Sequence, residues 1–221
     1  MAEAKSLIQT AVDGLTDESS TTQSPRTLVA MTNLACVHFI SEQFEAAAKA
    51  YQSSAEGLSA TFGPGHPLSV QAFEGVLQSQ IRSSKFAEVS EADLAAQSSY
   101  MELLVGEATL ELEKSKEAAE QLQVIDASKL PLHRQLYLDH LKAVAAEVSD
   151  DSPDAINQFV GSTEKLIADV AEVPILDRWM AQRACERMVS FFEGQEETEK
   201  AKEWKTRLKA VEKQILELRS L

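Results

Sequence analysis

The sequence predicts an all-α chain of stacked antiparallel helix pairs, and three observations carry that reading. A motif at Asn33-Leu34-Ala35, Phe44, Ala47 and Tyr51 returns more faintly 42 positions on, where Val76, Leu77, Phe86 and Val89 answer to Leu34, Ala35, Phe44 and Ala47. A fixed period of this size marks supersecondary units that bury their apolar faces only by stacking. Gly (8) and Pro (6) are scarce among 221 residues, whereas a sandwich or barrel needs turn residues throughout. Hydrophobic residues make up 44%, enough to bury a sizeable core.

The elements follow in order. Residues 1–24 read as a short helix over 3–13, with Leu7, Ile8, Ala11 and Val12 at helical spacing, and a polar linker over 17–23. Residues 25–221 read as one helical-repeat domain. Ser24-Pro25 opens it, because proline's missing N–H costs nothing in a first turn. A first pair is predicted at 26–40 and 43–60 with Ser41 capping its second helix, and a second pair at 68–82 and 85–96 with Ser83 or Ser84 as cap. Between them Gly63-Pro64-Gly65-His66-Pro67 forbids helix continuation. The same spacing places Val105-Gly106, Ala118 and Leu122 in a third pair that turns at 113–115 and closes at Pro131. A fourth joins 133–148 to a helix starting at Ser152-Pro153-Asp154, with Ala155 and Phe159 inside. After a break at Pro174, a fifth joins 175–193, carrying Phe192, to 196–220, carrying Ala201, around a turn at Gly194. In that last helix Trp204, Leu208, Val211, Ile215 and Leu218 form a short heptad seam. The seam either caps the stack or meets a partner helix.

With Asn33-Leu34-Ala35, Phe44, Ala47 and Tyr51, then Gly63, His66 and Pro67, residues 27–90 resemble the tetratricopeptide repeat (TPR), in the 42-residue variety of kinesin light chains. His38 stands where that family prefers Tyr, and Leu77, Val89 and Asp93 depart from its small, Ala and aromatic places. After residue 90 the pattern is degenerate. The resemblance implies a right-handed superhelix, a TPR-like α-solenoid of about five pairs with a long C-terminal helix. It also implies a concave groove lined by the first helix of each pair. Asn33 matches the amide that holds an extended peptide backbone in that family; otherwise it is a solvated helix residue. By the same register Val29, Thr32, Cys36, Phe39 and Ile40 face the groove from the first repeat. Gln71, Glu74, Gln78 and Arg82 follow from the second, then Tyr100, Leu103 and Glu107 from the third. Of the positions that clamp a C-terminal carboxylate in chaperone-binding members (here Val29, Asn33, Gly75, Tyr100 and Leu104), only Asn33 fits, which argues against such a clamp.

Charge narrows the partners. The net charge of −14 lies wholly in the first 185 residues, with 27 acids and 13 bases, while eight of each sign follow from Glu186 on. Nucleic acid and anionic membranes need clustered Lys and Arg, so neither is an expected partner. The acidity serves solubility or a partner with a basic face. No apolar run reaches 18 residues, so no membrane span is expected. The start Met1-Ala2-Glu3-Ala4-Lys5 resembles neither a secretory signal nor an organellar presequence, which makes the cytoplasm the expected location, or an organelle matrix if a presequence has been removed.

No stretch spells out a chemistry. The glycine cluster at 63–65 lacks the Lys-Ser/Thr of a phosphate loop. Cys36 and Cys185 read as reduced, buried side chains. His133 and His140, seven apart on one helix face, read as partly exposed residues without a metal-binding companion. His66 reads as a turn residue bonded to local backbone, and His38 as a core or groove residue. The sequence therefore points to a non-catalytic adaptor or scaffold, without cofactor or metal, that binds a neutral or basic protein segment through Asn33, Val29, Phe39, Gln71, Glu74, Gln78, Tyr100, Leu103 and Glu107. The alternative is a structural subunit of a large assembly, held by broad surfaces and the C-terminal helix.

Overall fold

The computed structural model describes residues 6, 7, 10, 24–90, 98–149, 153–168 and 170–219. Among them lie ten α-helices, two 3-10 turns and no strand. None of these helices is long and apolar enough to cross a membrane. The chain forms two compact units, Met1–Glu113 and Lys114–Leu221.

The first unit holds α1 (Pro25–Ile40), α2 (Phe44–Phe62), α3 (Pro67–Arg82), α4 (Phe86–Ser90) and α5 (Ser99–Glu111). Ser24 caps α1 by accepting from the Thr27 N–H at 3.2 Å, with Pro25 in the first turn as expected. Here α2 packs on both α1 and α3, while α3 also touches α1, α4 and α5. Leu28, Ala55, Leu58 and Ala72 join the first three helices in one buried cluster. Burying a leucine such as Leu28 contributes roughly 2 kcal/mol. The second unit holds α6 (Ser115–Gln123), α7 (Leu132–Ser149), α8 (Pro153–Ala168), α9 (Trp179–Gly194) and α10 (Thr198–Arg219). In it α7 packs on α6, α8 and α9, and α9 packs on α8 and α10.

One turn recurs four times. Glu42, Ser84, Glu113 and Glu196 adopt the left-handed conformation, with φ of 59°, 60°, 60° and 59°. At three of them the next N–H returns to a carbonyl five residues back: Gln43 to His38, Lys85 to Gln80 and Glu197 to Phe192, each at 2.9 Å. That bond closes a helix end and turns the chain sharply. A non-glycine residue adopts this conformation at a cost of about 1 kcal/mol, so the surrounding packing must favour it. Five residues beyond each left-handed position stands a buried side chain: Ala47, Val89, Ala118 or Ala201. Eight residues before stand Leu34, Val76, Val105 and Met188, all buried as well. The spacing predicted for the first three pairs is thus the spacing of the turn itself, and Met188 extends it to the last.

The recurring turn also corrects the capping expectations. Ser41 and Ser83 do not cap the second helices. They close the first ones, Ser41 through its backbone N–H to Val37 and Ser83 through its hydroxyl to Ser79 and Gln80. Gln43 precedes α2 without a side-chain cap. Gly194 is not the last turn but the final residue of α9, and Glu196 makes the reversal. Helix α9 begins four residues later than predicted, because Pro174 to Arg178 forms a turn in which the Asp177 N–H bonds Pro174 O at 2.8 Å. The linker over 17–23, Ile8, Ala11, Val12, Asp93, Ser152 and the side chains of Ala155 and Leu218 lie outside the described residues.

Candidate functional site

The side chains expected to line a groove separate into two groups. Asn33 and Gln71 are exposed, and Val29 and Glu74 are half-buried. By contrast Phe39, Gln78, Tyr100, Leu103 and Glu107 are buried, the last two at 0% exposure, and so offer no open surface. The cause is clearest in α5, where every residue from Tyr100 to Thr109 except Glu102 is buried. A helix apolar on all sides is covered on all sides. Of the partly open residues, Glu74 is engaged, accepting from the Ser98 hydroxyl at 2.7 Å. Thr32 and Cys36 also serve packing: Thr32 Oγ1 lies 2.7 Å from Ser54 Oγ, and Cys36 Sγ lies 3.0 Å from Tyr51 Oη. Burial raises the pKa of both Cys36 and Tyr51. The Cys185 thiol is pushed up to about 12 by its own burial. A thiol kept protonated is a poor nucleophile.

The heptad seam is occupied by the fold itself. Trp204, Val211 and Ile215 are buried and Leu208 is half-buried, on a helix whose packing neighbour is α9. Of the histidines, His66 bonds local backbone as expected and His140 departs from expectation. His38 is half-buried and sits 2.7 Å from Gln43 Oε1, and His66 caps α3 through the Leu68 N–H at 3.3 Å. His140, expected to be partly exposed, is fully buried. The Thr163 hydroxyl donates to Phe159 O at 2.8 Å, so it accepts from His140 Nδ1 at 2.9 Å, which leaves Nε2 as an unprotonated lone pair with no partner. Burial, and secondarily the Arg187 charge, holds this imidazole well below its ordinary value.

His133 belongs to a charged latch. Its Nε2 donates to Asp177 Oδ2 at 2.7 Å, while Arg134 donates from Nε to Oδ2 at 2.9 Å and from Nη2 to Oδ1 at 3.2 Å. Burial alone would raise the Asp177 carboxyl, but the bonds from His133 and Arg134 outweigh it and hold its pKa low. The carboxylate is thereby committed to tying the start of α7 to the 174–178 turn.

The second unit has an open groove of about 810 Å³ between α7 and α8, reached by Gln123 at the end of α6. Its bed is made of small residues, Ala143 and Ala146 on α7 with Gly161 and Ser162 on α8, and Leu136 closes one end. At Gly161 a Cβ would meet nothing within 4 Å. Asp139 and Lys142 rise from α7, and Asp154 and Lys165 from α8. None of these four makes a hydrogen bond or ion pair among the described residues, and neither do the amides of Gln123, Asn157 and Gln158. The sequence reading missed this groove. Small residues at helical spacing hinted at a close approach, but that approach could as well have been filled by the fold.

No family model, no curated protein and no solved structure matches the chain.

Proposed function

We propose that this chain is a non-catalytic adaptor or scaffold of the tetratricopeptide kind, acting in the cytoplasm and binding a segment of a partner protein. The observation that carries the reading is the α7–α8 groove, where free charges and free amides stand over a bed of small side chains. Surface sites that bind specifically combine a shaped cleft with a few convergent polar groups. The left-handed residue that recurs at Glu42, Ser84, Glu113 and Glu196 supports the same reading, because stacked hairpin repeats build extended binding surfaces. The exposed Asn33 amide, which makes no side-chain bond among the described residues, is a second contact point.

Crosslinking mass spectrometry of the full chain in native extract tests this. The expected result is a defined protein partner crosslinked through Lys142 or Lys165, weakened when Asn33→Ala or a groove charge is changed. Absence of any partner crosslink, with the chain folded by circular dichroism, overturns the adaptor reading. The alternative of a structural subunit gains nothing from the C-terminal seam, since Trp204, Val211 and Ile215 are already covered.

A further inference from the structure

The groove carries more than a general capacity to bind. Because α8 folds back along α7, Lys165 lies toward the Asp139 end of α7 and Asp154 toward the Ala146 end. Asp139, Lys142 and Lys165 therefore share one end, with a net charge of one positive unit, and Asp154 alone charges the other. The groove is polar along its length. From Asp154 to Lys165 the helix rises roughly 16 Å, the span of about five extended residues.

We propose that the α7–α8 groove takes an extended peptide segment of about five residues with an acidic side chain at one end and a basic one at the other. The acid faces Lys142 and Lys165, and the base faces Asp154. The inference rests on the adaptor reading and narrows it.

Two features favour an extended segment over a helix. A helix satisfies its own backbone groups, whereas an extended chain needs partners for its N–H and C=O groups. Gln123, Asn157 and Gln158 each offer both a donor and an acceptor for that purpose. A docked helix would instead require a broad apolar stripe, and the only large apolar residue on the groove's lining is Leu136. The small bed at Ala143, Gly161 and Ser162 lets a peptide backbone come close to the helices.

The test is fluorescence anisotropy with the full chain and labelled synthetic peptides. One pair carries the cores Glu-Ser-Ala-Ser-Lys and Lys-Ser-Ala-Ser-Glu. Controls of identical composition place Glu and Lys side by side, and others are all-basic, all-acidic or neutral. The expected result is that one orientation of the separated pair binds at least tenfold more tightly than every control. Lys142→Glu with Lys165→Glu removes that preference. Gly161→Leu lowers affinity by tenfold or more while leaving the melting temperature equal or higher, because its side chain points into empty groove and not into the fold. Equal binding of all peptides, no binding of any, or an unchanged affinity in folded Gly161→Leu overturns the proposal. If crosslinking still finds a partner in those cases, the adaptor reading stands and only the groove assignment fails.

Discussion

Gly75 and Gly161 both stand inside helices, in opposite surroundings. A Cβ at Gly75 would lie 2.6 Å from three atoms of the Tyr51 ring, while one at Gly161 would meet nothing within 4 Å. In the first unit α3 is pressed closely on α2, with the Tyr51 ring against Gly75. In the second, the approach of α8 to α7 leaves a cleft, and the start of α7 is held by the Asp177 latch. A glycine required by a close neighbour marks a closed interface. A glycine with free space beside it marks a surface available to something else.

The latch gives the largest expected effect. Arg134→Leu removes both guanidinium bonds from the buried Asp177 carboxylate, and losing one partner of a buried ion pair costs about 3 kcal/mol. Both tryptophans, Trp179 and Trp204, lie in the second unit, so urea unfolding followed by tryptophan fluorescence reads that unit directly. A midpoint unchanged by Arg134→Leu would mean that the latch holds nothing.

Gly75→Ala comes next. The rigid ring of Tyr51, itself 3% exposed, cannot swing aside, and overpacking of this kind costs about 2 kcal/mol. Faster amide hydrogen exchange in α2 and α3 should report it. Adding Tyr51→Leu to Gly75→Ala should recover part of the loss, since a flexible side chain yields where a ring does not. If the double variant is no better than the single one, the ring is not the obstacle.

These residues also show how far the sequence could be read. Leu34, Ala35, Ala47 and Tyr51 announced their packing because a hairpin repeat imposes the same demand at fixed offsets, and those offsets are local. The groove positions did not follow, because which face of a first helix remains open depends on the helices laid against it. Leu103 is the exception, since the all-round apolar pattern of α5 already leaves it no open face. The latch was harder still: His133 and Asp177 stand 44 residues apart, and no period relates them. Asp139, Lys142, Asp154 and Lys165 look like any solvated charges until the fold brings all four to one groove.

His140 supplies a smaller, pH-dependent effect. Its folded-state pKa lies well below the ordinary 6.5 because burial opposes the charged form. Between those two values the unfolded chain binds a proton that the folded chain refuses. Stability is therefore fully present above pH 6.5 and falls as pH drops below it, by at most about 1.4 kcal/mol per pH unit. Asp177 does not confuse the measurement, since its own loss begins only near its ordinary value of 3.8 and below. Tryptophan-monitored unfolding at pH 7, 6 and 5 should show the decline, and His140→Phe should flatten it. An equal slope in that variant would place the titrating group elsewhere.

Gly161→Ala is the smallest effect and the cleanest counterpart to Gly75→Ala. The chemical change is identical, one methyl group added to a helical glycine. At both sites alanine restricts the unfolded chain and favours the helix by roughly 0.5–1 kcal/mol. At Gly75 the collision with Tyr51 outweighs that gain, whereas at Gly161 nothing opposes it. The two substitutions should shift stability in opposite directions, Gly161→Ala upward. The added methyl is too small to fill a groove of about 810 Å³, so peptide binding should change far less than in Gly161→Leu. A destabilised Gly161→Ala would show that the bed of the groove is already occupied by the protein's own atoms, and the contrast between the two units would then disappear.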